Sequence, residues 1–311
     1  MDEIFFNLIP IFLLAAIGFL AGHFKMLPQD TGDRLCAVMF NFCAPCVSFY
    51  NIMTSEIRDV FNLRFTLALI VFEIIMFVLL WFFYRKVFGF DGSSRVIHTI
   101  CGFYSNIAYV GIPVFMAIYD NIIPNCIAVL VHGVIFFPVI TYLFDRNTED
   151  GKGKDILHSI LLAFKNPNID IPILGAILLL LKVRFPPVIL KTIQMLGSPT
   201  TSLGLFALGF TCNYGGTLTI TKNGVIHGAL SSFFKLLICP VIAYAVGRFL
   251  FGLEGWWLNS LTLIGMLPAA LNNYILAQRY HADEGFARMA VLLSTFFFSI
   301  TISIYMLFFA L

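Results

Sequence analysis

Glu73, His132 and Lys235 each stand inside a long apolar run of the chain. An ionised side chain at the centre of a bilayer costs about 2.5–3.5 kcal/mol on insertion scales, so such residues are functional candidates by default. Glu73 and Lys235 could pair, or could separately serve proton coupling and the attraction of an anion. His132 could titrate near neutral pH. The plainer alternative for all three is packing, or snorkelling towards an interface. A second set of residues could bind rather than titrate. "SNIAYVGIPVFMAIYD" carries Asn106, Gly111 and Pro113, and "LIGMLPAALNNYILAQRY" carries Pro268, Asn272 and Asn273. Gly and Pro cost a helix interior about 1 and 3 kcal/mol relative to Ala. Together they point to two interrupted helices whose freed N–H groups suit an anion, with the Asn amides hydrogen-bonding it. The simpler reading is a pair of kinked, packed helices. Asn41, in "FNFCAPC", is a further polar candidate, as are Ser198, Thr200 and Thr201 in "GSPTTSLG".

These residues need a membrane-spanning frame. The chain has 311 residues, 59% of them hydrophobic and 12% charged, with mean hydropathy +0.91. The charged fraction is about half that of soluble proteins, and the apolar residues come in blocks, as in an integral membrane protein. A net charge of +2 without a basic patch argues against a nucleic-acid partner. The cysteines at 36, 43, 46, 101, 126, 212 and 239 fall in or beside apolar runs. Cys43 and Cys46 make a CxxC with no second pair, which is poor ground for metal or redox chemistry. HExxH, GxSxG, P-loop and paired-Asp motifs are absent from the sequence. The expectation is therefore a non-enzymatic protein without a cofactor, with transport secondary or facilitated and H⁺ or Na⁺ open as coupling ion. Asp2 and Glu3 are the wrong charge for a signal peptide, so the first apolar run is expected to be a permanent span.

Ten spans are expected, at 4–24, 32–53, 62–85, 95–118, 123–144, 167–184, 191–212, 224–251, 256–279 and 286–310. Twelve Lys and Arg fall in odd-numbered loops and six in even-numbered ones. By the positive-inside rule this puts the odd loops in the cytoplasm and both termini outside. Trp81, Tyr84, Trp256 and Trp257 lie near span ends, as interfacial aromatics do.

The halves echo each other. "IPI" at 9–11 recurs at 171–173, Pro45 answers Pro199, Glu73 answers Lys235 and Pro113 answers Pro268. Five spans per half place the halves in opposite orientations. The expected fold is an all-α polytopic membrane protein of ten transmembrane helices, a 5+5 inverted repeat in which spans four and nine are broken and cross. Its parts are a first repeat (1–144), a cytoplasmic linker (145–165) and a second repeat (166–311).

With "LIPIFLLAAIGFLAGHFKMLPQDTGDRLCAVMFNFCAPCVSF", "SNIAYVGIPVFMAIY" and "MLPAALNNYILAQRY" in this order and spacing, the chain resembles the auxin efflux carrier family nearly end to end. That family includes bacterial malate permease-like transporters and is similar in fold to bile acid:sodium symporters. Asn106, Gly111 and Pro113 fill its fourth-span motif; Pro268, Ala277 and Tyr280 fill its ninth. The resemblance implies ten spans, a crossing of spans four and nine, outside termini and movement of organic anions across the plasma membrane. The short central loop departs from plant members and makes auxin itself a poor fit. Malate, malonate or a related mono- or dicarboxylate is the implied substrate class, carried by alternating access. Spans one, two, six and seven would form a scaffold, with a homodimer open. The rivals are a bile-acid-type sodium symporter for a larger amphipathic anion, a membrane-embedded lipid enzyme and a channel.

Overall fold

The structure, a computed structural model, describes residues 2–147, 167–211 and 222–309. Most of the expected linker and the end of the seventh span lie outside those residues. Every described element is helical, and an isolated antiparallel bridge joins Ser105 to Ala269. Five helical stretches are long and apolar enough to cross a membrane: Arg34–Thr54, Ile57–Phe88, Ile123–Asp145, Gly224–Leu250 and Glu284–Met306. Shorter apolar helices are Leu13–His23, Ile107–Tyr119 and Pro167–Leu180. Three expected spans are divided. The fourth comprises Gly92–Cys101 and then Ile107–Gly111 with Ile112–Tyr119. The seventh comprises Pro187–Gly197 and Thr200–Thr211, parted at Ser198–Pro199. The ninth comprises Gly255–Met266 and Leu271–Arg279.

The helices gather into two compact units that do not follow the halves of the sequence. One holds Met1–Asn62, Ile107–Leu130 and Phe164–Thr217; the other holds Leu63–Asn106, Val131–Ala163 and Leu218–Leu311.

Proline sets much of the local geometry. It lacks an N–H and crowds the carbonyl four residues back. Pro45, Pro113, Pro138 and Pro240 each lie two residues after a wide-turn π segment, namely Met39–Cys43, Ile107–Gly111, His132–Phe136 and Phe234–Ile238. The extra residue in the wide turn absorbs the crowding. In a π turn the Phe40 carbonyl would seek the N–H of residue 45, a proline. The Asn168 amide donates to that carbonyl instead, at 2.7 Å, within the first unit.

Also in the first unit, helix Asp2–His23 packs on Thr200–Thr211 through glycines. A Cβ on Gly18 would overlap the Phe206 carbonyl, and one on Gly209 the Ala15 carbonyl. Such small residues let membrane helices approach to backbone contact. In the second unit, helix Leu63–Phe88 buries Phe65, Phe72, Met76, Leu80 and Tyr84 completely, along one helical face.

Gly209→Leu is expected to force these two helices apart, costing about 1–3 kcal/mol as overpacking does. Thermal unfolding of the detergent-solubilised protein checks this, and an unchanged midpoint would contradict the packing.

Candidate functional site: two broken helices crossing

The breaks in spans four and nine meet inside the second unit. Helix Gly92–Cys101 ends at Gly102, and the chain runs extended through Tyr104, Ser105 and Asn106. Helix Gly255–Met266 ends at Leu267, and Pro268–Ala270 run extended before Leu271 restarts a helix. The two extended pieces pair as a minimal antiparallel ladder. Asn106 N–H donates to Pro268 O at 2.8 Å, and Ala270 N–H donates to Tyr104 O at 3.0 Å. Pro268 suits this position, since it stops a helix and still offers its carbonyl.

A helix that stops leaves its last carbonyls without intrahelical partners. Hydrocarbon offers none, so the protein must. The first break caps the second, the Ser105 hydroxyl donating to Ile264 O at 2.7 Å; in return the Asn273 amide adds a 3.4 Å bond to Ile100 O, which already accepts the Phe103 and Tyr104 N–H groups. Span eight serves both breaks from adjacent turns. Lys235 Nζ donates to Gly265 O at 2.5 Å, and the Cys239 thiol donates to Gly102 O at 3.3 Å. From the last helix, the Ser294 hydroxyl accepts the Ala269 N–H at 3.1 Å. Gly265 must be small here, because a Cβ would come within 3.0 Å of Ala243 Cβ and 3.2 Å of Cys239 O.

The charged residues gather around the same crossing. Glu73 and Lys235 are wholly buried, and His132 is 5% exposed. Glu73 Oε1 lies 2.5 Å from His132 Nε2, and the His132 ring stacks on Tyr104 with centroids 4.1 Å apart. Burying an acid and a base together offsets part of the cost of burying either.

The candidate residues therefore separate. Asn106, Pro268, Asn272, Asn273, Glu73, His132 and Lys235 belong to the second unit, and Asn41, Gly111 and Pro113 to the first. Asn106 and Asn273 are buried and Asn272 is half-buried. Asn41 is exposed and donates to Ala37 O, one turn back in its own helix. The Thr200 and Ser198 hydroxyls likewise bond their own backbone, at Gly197 O and Met195 O. Gly111 and Pro113 do not open span four: the break lies at Gly102–Asn106, while Gly111 closes a π segment and Pro113 opens the next α-helix. The π turn accommodates Pro113, so no gap is needed there. Glu73 and Lys235 each take a different nearest partner, His132 and the Gly265 carbonyl. Sequence reasoning passed over Gly102, Ser105, Cys239 and Ser294. Gly102 and Ser105, three residues apart and next to Asn106, are the turn-forming signal that could have located the break.

The whole assembly matches a known protein family. The model of the family described as "Membrane transport protein" covers residues 3–306. The chain belongs to this family, the auxin efflux carrier family of the sequence reading. It is similar to the uncharacterized transporter YfdV of Escherichia coli, with 24% identity over 92% of this chain and 91% of the relative. It is also similar to the uncharacterized transporter MJ1031 of Methanocaldococcus jannaschii, with 21% identity over 95% of each chain. The chain is thus a multi-pass membrane protein of a transport family, which is not an enzyme class.

Ser105→Ala removes a donor from the buried Ile264 carbonyl. It is expected to cost about 1–3 kcal/mol, the desolvation cost of an unsatisfied group. A lowered unfolding midpoint checks this; one equal to the parent would contradict the cap.

Proposed function

We propose that this protein is a secondary carrier for a small organic anion, a mono- or dicarboxylate such as malate or malonate, working by alternating access in the plasma membrane. The observation that carries the reading is the crossing itself. Two helices broken in the middle of apolar spans are a costly arrangement, and secondary transporters place their binding sites at such breaks. The first-turn N–H groups of Leu271–Arg279 project back towards the break, where a carboxylate is favoured. Asn106, Asn272 and Asn273 stand beside it as hydrogen-bonding side chains.

An inverted repeat of five plus five spans gives this carrier its two-sided access. Four pairs of residues around the crossing support it with nearly constant separation. Glu73 to Lys235 and His132 to Ser294 are each 162 residues apart; Gly102 to Gly265 is 163 and Ser105 to Ala269 is 164. These separations agree better than the 155 between Pro113 and Pro268, because the true counterparts are the breaks and not the prolines. On this reading the central loop is cytoplasmic and both termini lie outside, following the Lys and Arg bias.

Reconstituted protein is expected to take up labelled dicarboxylate. Asn106→Ala combined with Asn272→Ala keeps the backbone ladder and is expected to lower uptake at least tenfold. Undiminished uptake by that double variant would remove these residues from the site. Glu73→Gln is expected to reduce the maximal rate more than the apparent affinity, since Glu73 meets His132 rather than the first turn of Leu271–Arg279. A pure affinity loss would contradict that assignment.

A further inference from the structure

Away from the crossing, a turn at 89–91 joins helix Leu63–Phe88 to helix Gly92–Cys101 within the second unit. Gly89 and Gly92 shape it with φ of +67° and +56°, a conformation glycine adopts at no steric cost. The turn brings two guanidinium groups to one carboxylate oxygen. Arg85 Nη1 lies 2.9 Å, and Arg95 Nη1 3.9 Å, from Asp91 Oδ1. Arg95 is held in place: its guanidinium sits 3.8 Å over the Trp81 ring, and its side chain is 14% exposed. Trp81 in turn stacks on Phe77, with centroids 5.4 Å apart. Arg85 and its neighbour Lys86 are exposed. Among the described residues, Asp91 is the acid paired with these guanidinium groups. Three cations against that one carboxylate leave an excess of positive charge. The C-terminus of one helix and the N-terminus of the next meet here, so their opposite dipoles offset each other and do not supply the missing negative charge.

The surface beneath the cations is apolar. Ile74, Val78 and Phe82 are 47%, 46% and 54% exposed. With Lys86 they are spaced four residues apart, which makes one row on the helix. At 1.5 Å per residue the row is about 18 Å long. A free phosphate would use the cations and leave the row bare; a hydrocarbon would do the reverse. A phospholipid matches both. Arginine forks fit phosphate oxygens, tryptophan belongs at headgroup level, and basic pockets between spanning helices take lipid headgroups. The excess positive charge disfavours a headgroup that carries its own ammonium. On the orientation proposed above, the turn faces the cytoplasm, the side whose leaflet holds anionic lipid. We propose that the turn between spans three and four binds one anionic phospholipid, its phosphate held by Arg85, Lys86 and Arg95 and an acyl chain lying along Ile74, Val78 and Phe82. The proposal is independent of which solute the protein carries.

The test titrates the purified full-length protein, in uncharged detergent at fixed ionic strength, with phosphatidylglycerol, phosphatidylcholine or soluble glycerol 3-phosphate, and reads the melting temperature. Phosphatidylglycerol is expected to raise it saturably, at a concentration at least fivefold below that needed of phosphatidylcholine. Glycerol 3-phosphate, the head without the chains, is expected to leave it unchanged. Arg85→Gln combined with Lys86→Gln changes two exposed side chains and is expected to melt like the parent in detergent alone. It is expected to need at least fivefold more phosphatidylglycerol for the same rise. Arg95→Lys keeps the charge but gives up the planar fork over Trp81, and is expected to need at least twofold more. Lys25→Gln combined with Arg34→Gln removes two cations from another loop and is expected to respond like the parent. Equal responses to the two lipids would overturn the proposal. So would an undiminished response in the Arg85 and Lys86 double variant, or an equal loss in the Lys25 and Arg34 double variant. A rise with glycerol 3-phosphate equal to that with phosphatidylglycerol would also overturn it, giving the turn to a free phosphate.

Discussion

A peptide group in hydrocarbon has no water to bond, and a helix that stops there leaves its last carbonyls exposed to that cost. The second unit is organised around meeting it twice. Gly102, Ile264 and Gly265 each offer a carbonyl at a break, and each receives a side-chain donor, from Cys239, Ser105 and Lys235 respectively. Two backbone bonds between the extended pieces do the rest. The composition of the neighbouring spans follows from this need. A lysine and a cysteine four residues apart in the eighth span would be odd choices in a lipid-facing helix. They are reasonable where adjacent turns must reach two helix ends.

The same constraint explains why charge sits at this depth. Lys235 donates to the terminal Gly265 carbonyl at one break, and Glu73 engages His132, which stacks on Tyr104 at the other. On the proposed reading, an anion arriving at the crossing would meet helix-end carbonyls already bonded, with the first turn of Leu271–Arg279 as its point of contact.

Some of this was legible in the sequence. Charges inside apolar runs are conspicuous, so Glu73, His132 and Lys235 could be marked before their partners were known. Pro268 located the ninth-span break, because the helix before it, Gly255–Met266, has no wide turn to absorb a proline. Pro113 misled, because a wide turn at Ile107–Gly111 absorbs it within a helix, and wide turns have no sharp sequence signature. The real break at Gly102–Asn106 is marked only by a glycine and a serine. Cys239 and Ser294 could not be told apart from ordinary small residues, which in membrane helices usually bond their own backbone. Ser198 and Thr200 do behave that way. The division into two units was partly legible too. Spans one, two, six and seven do stay together, but the fourth span splits at Asn106, where no charge or composition change marks the boundary.

The central claim is that the crossing in the second unit receives a carboxylate. The most direct measurement is the melting temperature of the purified protein across a panel of carboxylates, for the parent and for Asn106→Ala combined with Asn272→Ala. A ligand at one hundred times its Kd stabilises by about 2.7 kcal/mol, well within reach of such an assay. The account predicts a saturable rise for one or more small carboxylates in the parent and its loss in the double variant. No rise across the panel, or an equal rise in the double variant, would contradict it.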